Sequence, residues 1–323
     1  RALLMSKTKP FFLLLFTLLP GLILFFVPAG CSYANLHLKG SEISLNVKGD
    51  TDSKRPVLPQ PKNVVALSAS LAELWLEAGG ILAGATSDAF EKGRISQSLG
   101  DAANVGSLKN PNVELILSLE PDLVILAPKL SGYSSARRLL EEAKVPCYYA
   151  EVDSFNDYLV VFQDFTHMTG RDDLYEQYGK RQKDNITALI AALPSGKGPQ
   201  VLVLRAYSSG INVKSEGVII TNILDDLGLG NIASGNAALT ENFSLEKIVE
   251  ADPDCIFIVY MGDSAEKTTK YLKQNLYENP VWSTLSAVSQ DRTFVLPQEL
   301  FHYKPNSRWE EAYAYIAELL YTE

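Results

Sequence analysis

The stretch VELILSLEPDLVI at residues 113–125 decides the fold, because its pattern returns as LEKIVEADPDCIF at residues 245–257. Glu114 and Glu246 are 132 positions apart, and the Pro-Asp pairs of the two copies keep the same spacing. Each copy is predicted to be a short amphipathic helix, a Pro-Asp turn that cannot continue the helix, and an apolar strand. The recurrence indicates an internal duplication of an α/β unit.

The surrounding sequence extends this duplication to two whole lobes. The apolar run VVAL at residues 64–67 leads into a helix for which Ser70 and Glu73 fit a capping box, and VLVL at residues 201–204 opens the second half in the same way. Alternating strands and helices predict parallel sheets, and ligands collect beyond the carboxyl ends of such strands. The predicted fold class is α/β, with two Rossmann-like lobes of parallel sheet at residues 63–153 and 199–323.

A long helix is predicted between the two lobes, at about residues 171–193 within an interlobe segment of residues 154–198. Asp172 and Asp173 place negative charge in its first turn, and Pro194 follows its end. Its apolar residues lie near its two ends, whereas its middle is polar. Such a helix is expected to lie on one lobe, cross water and dock on the other.

The composition excludes some classes of function. The formal net charge of −9 and the isoelectric point of about 5.0 argue against a nucleic-acid partner. The three histidines of the chain make a bare metal-ion site of clustered histidines improbable. Cys147 and Cys255 lie in apolar runs and are interpreted as buried, inert thiols.

The N-terminal residues are predicted to direct export. Residues 1–31 contain a short basic region and an apolar run, and they end in a cysteine, Cys31, that directly follows Ala-Gly. This order resembles the lipobox of bacterial lipoproteins, in which the cysteine is lipidated. A secretory signal cut elsewhere and an uncleaved anchor are the alternatives, and all three export the two lobes. Residues 32–62 are polar and are predicted to form a flexible tether.

Enzyme motifs are weak in this sequence. GLGNIA at residues 228–233 fits the dinucleotide-binding pattern by its letters, but it follows a predicted helix, whereas that motif has to follow a strand. The sequence contains no phosphate-binding P-loop, nucleophile elbow or Cys-x-x-Cys pair. We therefore predict that the protein is not an enzyme.

From about Asn63 to its C-terminus, the chain resembles one known family, the substrate-binding proteins of ABC importers for ferric siderophores, haem and cobalamin. The stretches that carry this resemblance are residues 64–74, 105–106, 111–114, 121–125, Trp282, Leu285, residues 287–288, residues 295–297 and Trp309. The resemblance implies two α/β lobes bridged by one long helix, capture of a chelated metal outside the membrane, and no chemistry on the ligand.

The resemblance also implies that one glutamate of each lobe docks onto arginines of the permease, and by position these are Glu114 and Glu246. Two equivalent acids on equivalent helices would present a matched pair to a roughly two-fold partner. The alternative is that each acid only complements the N-terminus of its own helix.

Ligand-binding residues are predicted in the loops at the strand ends. Arginine can pair with carboxylate or catecholate oxygens, and aromatic faces can cover the apolar parts of a chelate. The candidates of the second lobe are Arg205, Tyr207, Tyr260, Phe301, His302 and Tyr303. Those of the first lobe are Ser68, Ser70, Asp88, Phe90, Lys129 and Tyr133. His302 or a tyrosine is also a candidate axial ligand for haem.

The sequence thus predicts a monomeric receptor, lipid-anchored to the bacterial cell membrane and extracytoplasmic, that binds a ferric siderophore and moves little at its hinge. It is expected to hold no resident cofactor and to deliver its ligand to the permease and ATPase subunits of an importer. Haem or cobalamin is the alternative ligand. A tetrapyrrole-handling enzyme or metallochaperone on a related bilobal fold is the alternative of another class.

Overall fold

The computed structural model describes residues 60–91, 95, 98–128, 133–196, 198–241, 243–262 and 264–321, apart from the side chains of residues 133 and 134. The predicted signal peptide, Cys31 and most of the predicted tether therefore lie outside the described residues.

The first lobe is a parallel five-stranded sheet with helices on both faces. Its elements are β1 (Val64–Ala66), α1 (Ala69–Glu77), β2 (Gly84–Ala85), α2 (Ser87–Glu91), β3 (Ala103–Asn104), β4 (Gly106–Ser107), β5 (Asn110–Pro111), α3 (Val113–Ser118), β6 (Leu123–Leu126), α4 (Tyr133–Glu142) and β7 (Cys147–Tyr149). The strand order is β3-β2-β1-β6-β7, and β4 and β5 form a separate antiparallel pair. The carboxyl ends of all five sheet strands therefore lie at one edge of the lobe.

Helices connect the two sheets. They are α5 (Phe155–Thr169), α6 (Asp172–Leu174), a π-helical segment (Tyr175–Lys180) and α7 (Arg181–Ala192). Gly170, with a φ of +70°, ends α5 in the left-handed conformation that glycine adopts without strain. The long helix expected at residues 171–193 is thus present at residues 172–192, interrupted by the π-helical segment.

The second lobe repeats the plan of the first. Its elements are β8 (Gln200–Tyr207), β9 (Gly210–Val213), α8 (Ile219–Asp226), β10 (Gly230–Asn231), α9 (Ala237–Thr240), α10 (Leu245–Ala251), β11 (Cys255–Tyr260), α11 (Ala265–Leu272), α12 (Ser286–Ser289), β12 (Thr293–Leu296), α13 (Gln298–Phe301) and α14 (Trp309–Tyr321). The parallel strands follow the order β10-β8-β11-β12, and β9 pairs antiparallel with β8.

The duplication predicted from the sequence is visible in matching hydrogen bonds. The carboxylate of Asp122 accepts from the backbone N–H of Asn63, 3.0 Å away, directly before β1. Its repeat partner, Asp254, accepts from the backbone N–H of Gln200, 2.7 Å away, at the start of β8. In each lobe the aspartate of the Pro-Asp turn therefore ties the central strand to its neighbour. The two sheets differ in that strand β3 is present only in the first lobe and the β8–β9 hairpin only in the second.

One hydrophobic core runs through both lobes, and we call it the shared core. On β1, Val64 and Ala66 belong to the shared core, while Val65 belongs to a separate cluster beneath α3 and α4. On β8, Val203 belongs to the shared core, while Leu204 belongs to a cluster beneath α10 and α11. Strand side chains alternate between the two faces of a sheet. Each sheet therefore turns one face toward the other lobe and one face outward.

Polar contacts between α1 and the segment before α14 also join the lobes. The buried Asn306, whose φ is +51°, donates its side-chain N–H to the Ser70 carbonyl at 3.1 Å and to the Glu73 carboxylate at 2.7 Å. The Ser307 hydroxyl donates to the Glu77 carboxylate at 2.5 Å. Acids near a helix N-terminus are favourable because the helix dipole is positive there. The Glu77 carboxylate also accepts from the backbone N–H of Ser307 at 3.2 Å, so two carboxylates of the first lobe hold the segment that leads into the last helix of the second.

The predicted capping box of Ser70 and Glu73 is wrong. Ser68 is the N-cap of α1, because its side-chain oxygen accepts from the Leu71 N–H at 3.3 Å. Glu73 turns instead toward Asn306 in the other lobe.

In the polar middle of the long helix, residues 180, 181 and 183–185 are exposed, as expected of a segment that faces water, but Gln182 is not. Gln182 is 2% exposed and donates its side-chain N–H to the Tyr158 hydroxyl of α5 and to the Tyr178 carbonyl. Its side-chain oxygen accepts from the backbone N–H of Glu310 in α14 at 3.0 Å. One glutamine therefore satisfies polar groups on three helices at the junction.

We predict that Gln182→Ala lowers the free energy of unfolding by about 2 kcal/mol, because polar groups on α5, the π-helical segment and α14 lose a hydrogen-bond partner inside the protein. Urea unfolding followed by circular dichroism measures this loss. Lys183→Ala, at the exposed neighbouring position of the same helix, is the matched control and should change stability by less than ~0.5 kcal/mol. Equal stability of the two variants would contradict the assigned role of Gln182.

The two described cysteines are predicted to react slowly. Burial raises the pKa of the Cys147 thiol to about 11 and that of Cys255 to about 12, so at about pH 8 their thiolate fractions are at least ~100-fold below that of an ordinary cysteine. We expect iodoacetamide to label both correspondingly more slowly in the native chain than in the unfolded chain, as measured by mass spectrometry of the peptides. Labelling should accelerate with pH, and native labelling of Cys147 at the unfolded rate would contradict the prediction.

Candidate functional site

The carboxyl-terminal half of β8 carries two of the predicted ligand-binding residues. Val203 lies on the shared-core face of this strand, so the alternation of the strand places Arg205 and Tyr207 on the same face. Both side chains are partly exposed, whereas Ala206 between them is buried in the outward cluster. The hairpin with β9 supports this end of the strand by pairing Arg205 with Asn212. The structure therefore directs the guanidinium and the phenol toward the lobe junction.

Arg205 is a half-buried cation with two recognisable partners. Burial lowers the pKa of its guanidinium, while a hydrogen bond with Tyr207 and the negative charge of Asp153 oppose that shift. Since an arginine pKa is far above neutrality, the group stays charged. A charged, partly desolvated guanidinium is well suited to bind the oxygens of an anionic ligand.

The loop that follows α13 adds a cation and two rings. His302 and Tyr303 have ring centroids 4.6 Å apart, and both side chains are partly exposed. The next residue, Lys304, places its Nζ 2.5 Å from Oδ1 of Asp153, which directly precedes the N-cap of α5. This ion pair joins the loop of the second lobe to the end of the first. The carboxylate of Asp153 is thus the ion-pair partner of Lys304, and its charge also favours the charged form of Arg205.

Three candidates of the first lobe cluster at the other sheet edge. The carboxylate of Asp88 accepts from the Ala69 N–H at 2.9 Å and from the Thr86 hydroxyl at 2.6 Å. It therefore shares with Ser68 the capping of α1. Phe90 packs, partly buried, against the shared core. These contacts give Asp88 and Ser68 a structural role at the edge where a ligand would approach.

Ser70 contributes to the lobe junction through its backbone carbonyl, which accepts from Asn306. Lys129 and the side chain of Tyr133 lie outside the described residues, so their predicted roles stay predictions.

Two aromatic candidates are buried in the hydrophobic clusters. Tyr260 is 8% exposed and belongs to the outward cluster of the second lobe, where its hydroxyl accepts from Thr269 at 3.2 Å. These contacts give Tyr260 a packing role, and its role as a ligand-binding residue stays a prediction. Phe301 is 1% exposed and lies in the shared core, where its ring packs near that of Tyr315.

The predicted docking acids occupy matching positions. Glu114 lies in the first turn of α3 and Glu246 in the first turn of α10, and both side chains are exposed. The N-caps of the two helices, Asn112 and Ser244, accept backbone N–H groups with their own side chains. The two carboxylates are therefore exposed on helices that other side chains cap, and their role in docking stays a prediction.

In the described part of the chain, no group of three or more His, Cys, Asp or Glu side chains is placed to hold a metal ion. Over the same residues, no helix combines the length and the apolar character that a membrane span requires.

Sequence reasoning missed Asp153 and Lys304. The signal that it lacked is spatial, because the two residues are 151 positions apart and neither belongs to a motif. Asp153 ends the first lobe and Lys304 follows the last strand of the second. They come close together only in the folded structure, where the two lobes meet.

The chain is similar in sequence to two binding proteins of Bacillus subtilis (strain 168). Iron-uptake system-binding protein of Bacillus subtilis (strain 168) is 27% identical over 203 residues, which are 60% of this chain and 61% of that protein's length. Fe(3+)-citrate-binding protein YfmC of the same organism is 24% identical over 276 residues, which are 83% of this chain and 84% of that protein.

A solved structure shows the same fold. IsdE of Staphylococcus aureus, complexed with heme, matches with a TM-score of 0.66 at 18% identity, over 80% of this chain and 99% of that one. The sequence model of the family described as "Periplasmic binding protein" matches residues 64–300 of this chain. Since that match spans both sheets and the helices between them, the chain belongs to the periplasmic binding protein family.

Proposed function

We propose that the protein is the extracytoplasmic receptor of an ABC importer, which captures a chelated metal at the lobe junction and delivers it to a permease. The observation that carries this proposal is the ion pair of Asp153 with Lys304. Lys304 directly follows the neighbouring rings of His302 and Tyr303, and the Asp153 carboxylate also favours the charged form of Arg205. Cations that can meet chelate oxygens and rings that can cover apolar surface are the groups that such a ligand requires.

A ferric siderophore is the ligand that we propose first. The names of the two Bacillus subtilis relatives, an iron-uptake system-binding protein and a Fe(3+)-citrate-binding protein, support iron as the metal. In this proposal the metal arrives inside its chelate, the receptor holds no resident cofactor, and the ligand leaves chemically unchanged. The protein is then a binding protein and not an enzyme.

Haem is the second candidate ligand. His302 and Tyr303 supply the two side-chain types that serve as axial ligands to haem iron, and IsdE, which shares the fold, is complexed with heme. Cobalamin remains the alternative with least support from the described residues.

We further propose that lipidation of Cys31 anchors the receptor to the outer side of the bacterial cell membrane, where it works as a monomer. Its partners are the permease and ATPase subunits of the importer. The tether of residues 32–62 would give the lobes the reach to meet the permease.

The ligand proposal is tested by titrating the full chain in detergent micelles with ferric citrate, a ferric trihydroxamate, a ferric tricatecholate, haemin and cobalamin. Tryptophan fluorescence reports binding, since Trp309 lies buried at the lobe junction beside Phe155. We expect saturable binding of one ferric chelate and a loss of at least ~10-fold in affinity for Arg205→Gln, because a charge-assisted contact is lost. Haemin as the only bound compound would favour the second candidate, and no binding at all would contradict the receptor assignment.

The docking proposal predicts that Glu114→Gln combined with Glu246→Gln lowers uptake of radiolabelled iron by at least ~10-fold in cells, because two charge-assisted contacts to the permease are lost. Ligand affinity should stay within about two-fold of the unmodified chain. Glu250→Gln, at an exposed position near the other end of α10, is the matched control and should transport normally. Reduced ligand affinity in the double variant would contradict a pure docking role.

A further inference from the structure

The ion pair between Asp153 and Lys304 spans the two lobes at the proposed ligand site. Oδ1 of Asp153 and Nζ of Lys304 are 2.5 Å apart, and the side chains are 37% and 29% exposed. The backbone of Asp153 is held from both lobes, because its N–H donates to the Asp157 carboxylate at 3.1 Å and its carbonyl accepts from Asn222 at 2.8 Å. The carboxylate therefore has a fixed base, while its charged end reaches water.

The same carboxylate also acts on Arg205. The negative charge of Asp153 stabilises the charged form of that guanidinium, which lies on the shared-core face of β8. Asp153 thus forms an ion pair with the cation of the loop after α13, and its charge also favours the charged guanidinium on β8. Within this trio the positive charge exceeds the negative charge by one.

This ion pair is dispensable for holding the lobes together. Partly exposed ion pairs contribute little to stability, since water screens the charges and two long side chains lose freedom. The lobes are already joined by the shared core, by the buried Asn306 and by Gln182. A charge that is fixed in position, partly exposed and unnecessary for assembly is available for a role in binding.

We propose that Asp153 is a specificity-determining residue: its carboxylate competes with the ligand for Lys304 and Arg205 and so sets which charge the receptor accepts. This inference rests on the proposed function and deepens it by naming the ligand class. Ferric chelates with outward carboxylate or catecholate oxygens carry net negative charge and replace Asp153 as partner of the two cations. Neutral hydroxamate complexes offer no equivalent replacement. The receptor therefore prefers anionic ferric chelates.

The test compares charge variants of the full chain, titrated in detergent micelles with ferric citrate and with a neutral ferric trihydroxamate. Asp153→Asn should bind ferric citrate about five-fold more tightly, because a unit negative charge a few ångströms from the ligand is removed. Lys304→Gln should bind it about five-fold more weakly. Affinity for the neutral complex should stay within about two-fold in both, and added salt should shrink both changes.

Two matched controls separate local charge from net charge. Asp184→Asn and Lys183→Gln make the same charge changes at exposed positions of α7, away from the trio, and should leave both affinities unchanged. Circular dichroism verifies that each variant is folded. If Asp153→Asn fails to fold, Lys304→Gln still tests the prediction, because it removes a positive charge and should weaken the binding of ferric citrate.

The outcomes distinguish this inference from the function on which it rests. Unchanged or weaker citrate binding in Asp153→Asn, or equal shifts for the charged and the neutral complex, would overturn the competitor role while leaving the receptor assignment standing. An unmodified chain that binds the neutral complex more tightly than ferric citrate would also overturn the stated ligand class. An unmodified chain that binds none of the ferric chelates, haemin or cobalamin would overturn the proposed function and the inference together.

Discussion

The shared core is the constraint on which the rest of the structure depends. Both sheets turn one face into it, with Val64 on β1 and Val203 on β8. Because strand side chains alternate, this assignment also fixes which later residues reach the lobe junction. Arg205, two positions after Val203, has to lie on the junction side, whereas Tyr260, which follows the outward-facing Ile258 by two positions, has to lie on the outer side. The hydrophobic pattern thus selects the polar residues of the site.

The duplicated lobes have kept their framework and diverged in their edges. Asp122 and Asp254 still make the same bond to the central strand, and Glu114 and Glu246 still begin equivalent helices. At the edges the first lobe uses Asp88 to cap its own helix, whereas the second extends β8 into a hairpin that carries a guanidinium. The framework bonds are local to each repeat and serve folding. The loops at the sheet edges do not take part in these framework bonds, so they can specialise for ligand and partner.

Much of the fold could be predicted because its signals are local. The helix, Pro-Asp turn and strand of each repeat, and the long helix, follow from patterns within a few turns of chain. Even the position of Tyr260 was accessible, since the alternation along β11 predicts its face. The contact of Asn306 with Glu73 was not, because 233 residues separate them and no periodicity links them. The burial of Gln182 could not be predicted for a related reason. A glutamine among charged residues indicates exposure, and only its contacts with α14 and with the Tyr178 carbonyl show that it is buried.

The lobe junction contains two kinds of polar contact, buried and partly exposed, and this difference in exposure gives them different roles. Asn306 is 1% exposed, so breaking its bonds to α1 would leave buried polar groups unsatisfied, which is costly. Asp153 and Lys304 are partly exposed, and water can take the place of either partner at little cost. A ligand can therefore exchange the partners of the ion pair while the buried bonds hold the lobes in place. In the receptor that we propose, binding would change the charge pairing at the lobe junction and leave the lobe orientation nearly unchanged, so Glu114 and Glu246 would keep their spacing in both states.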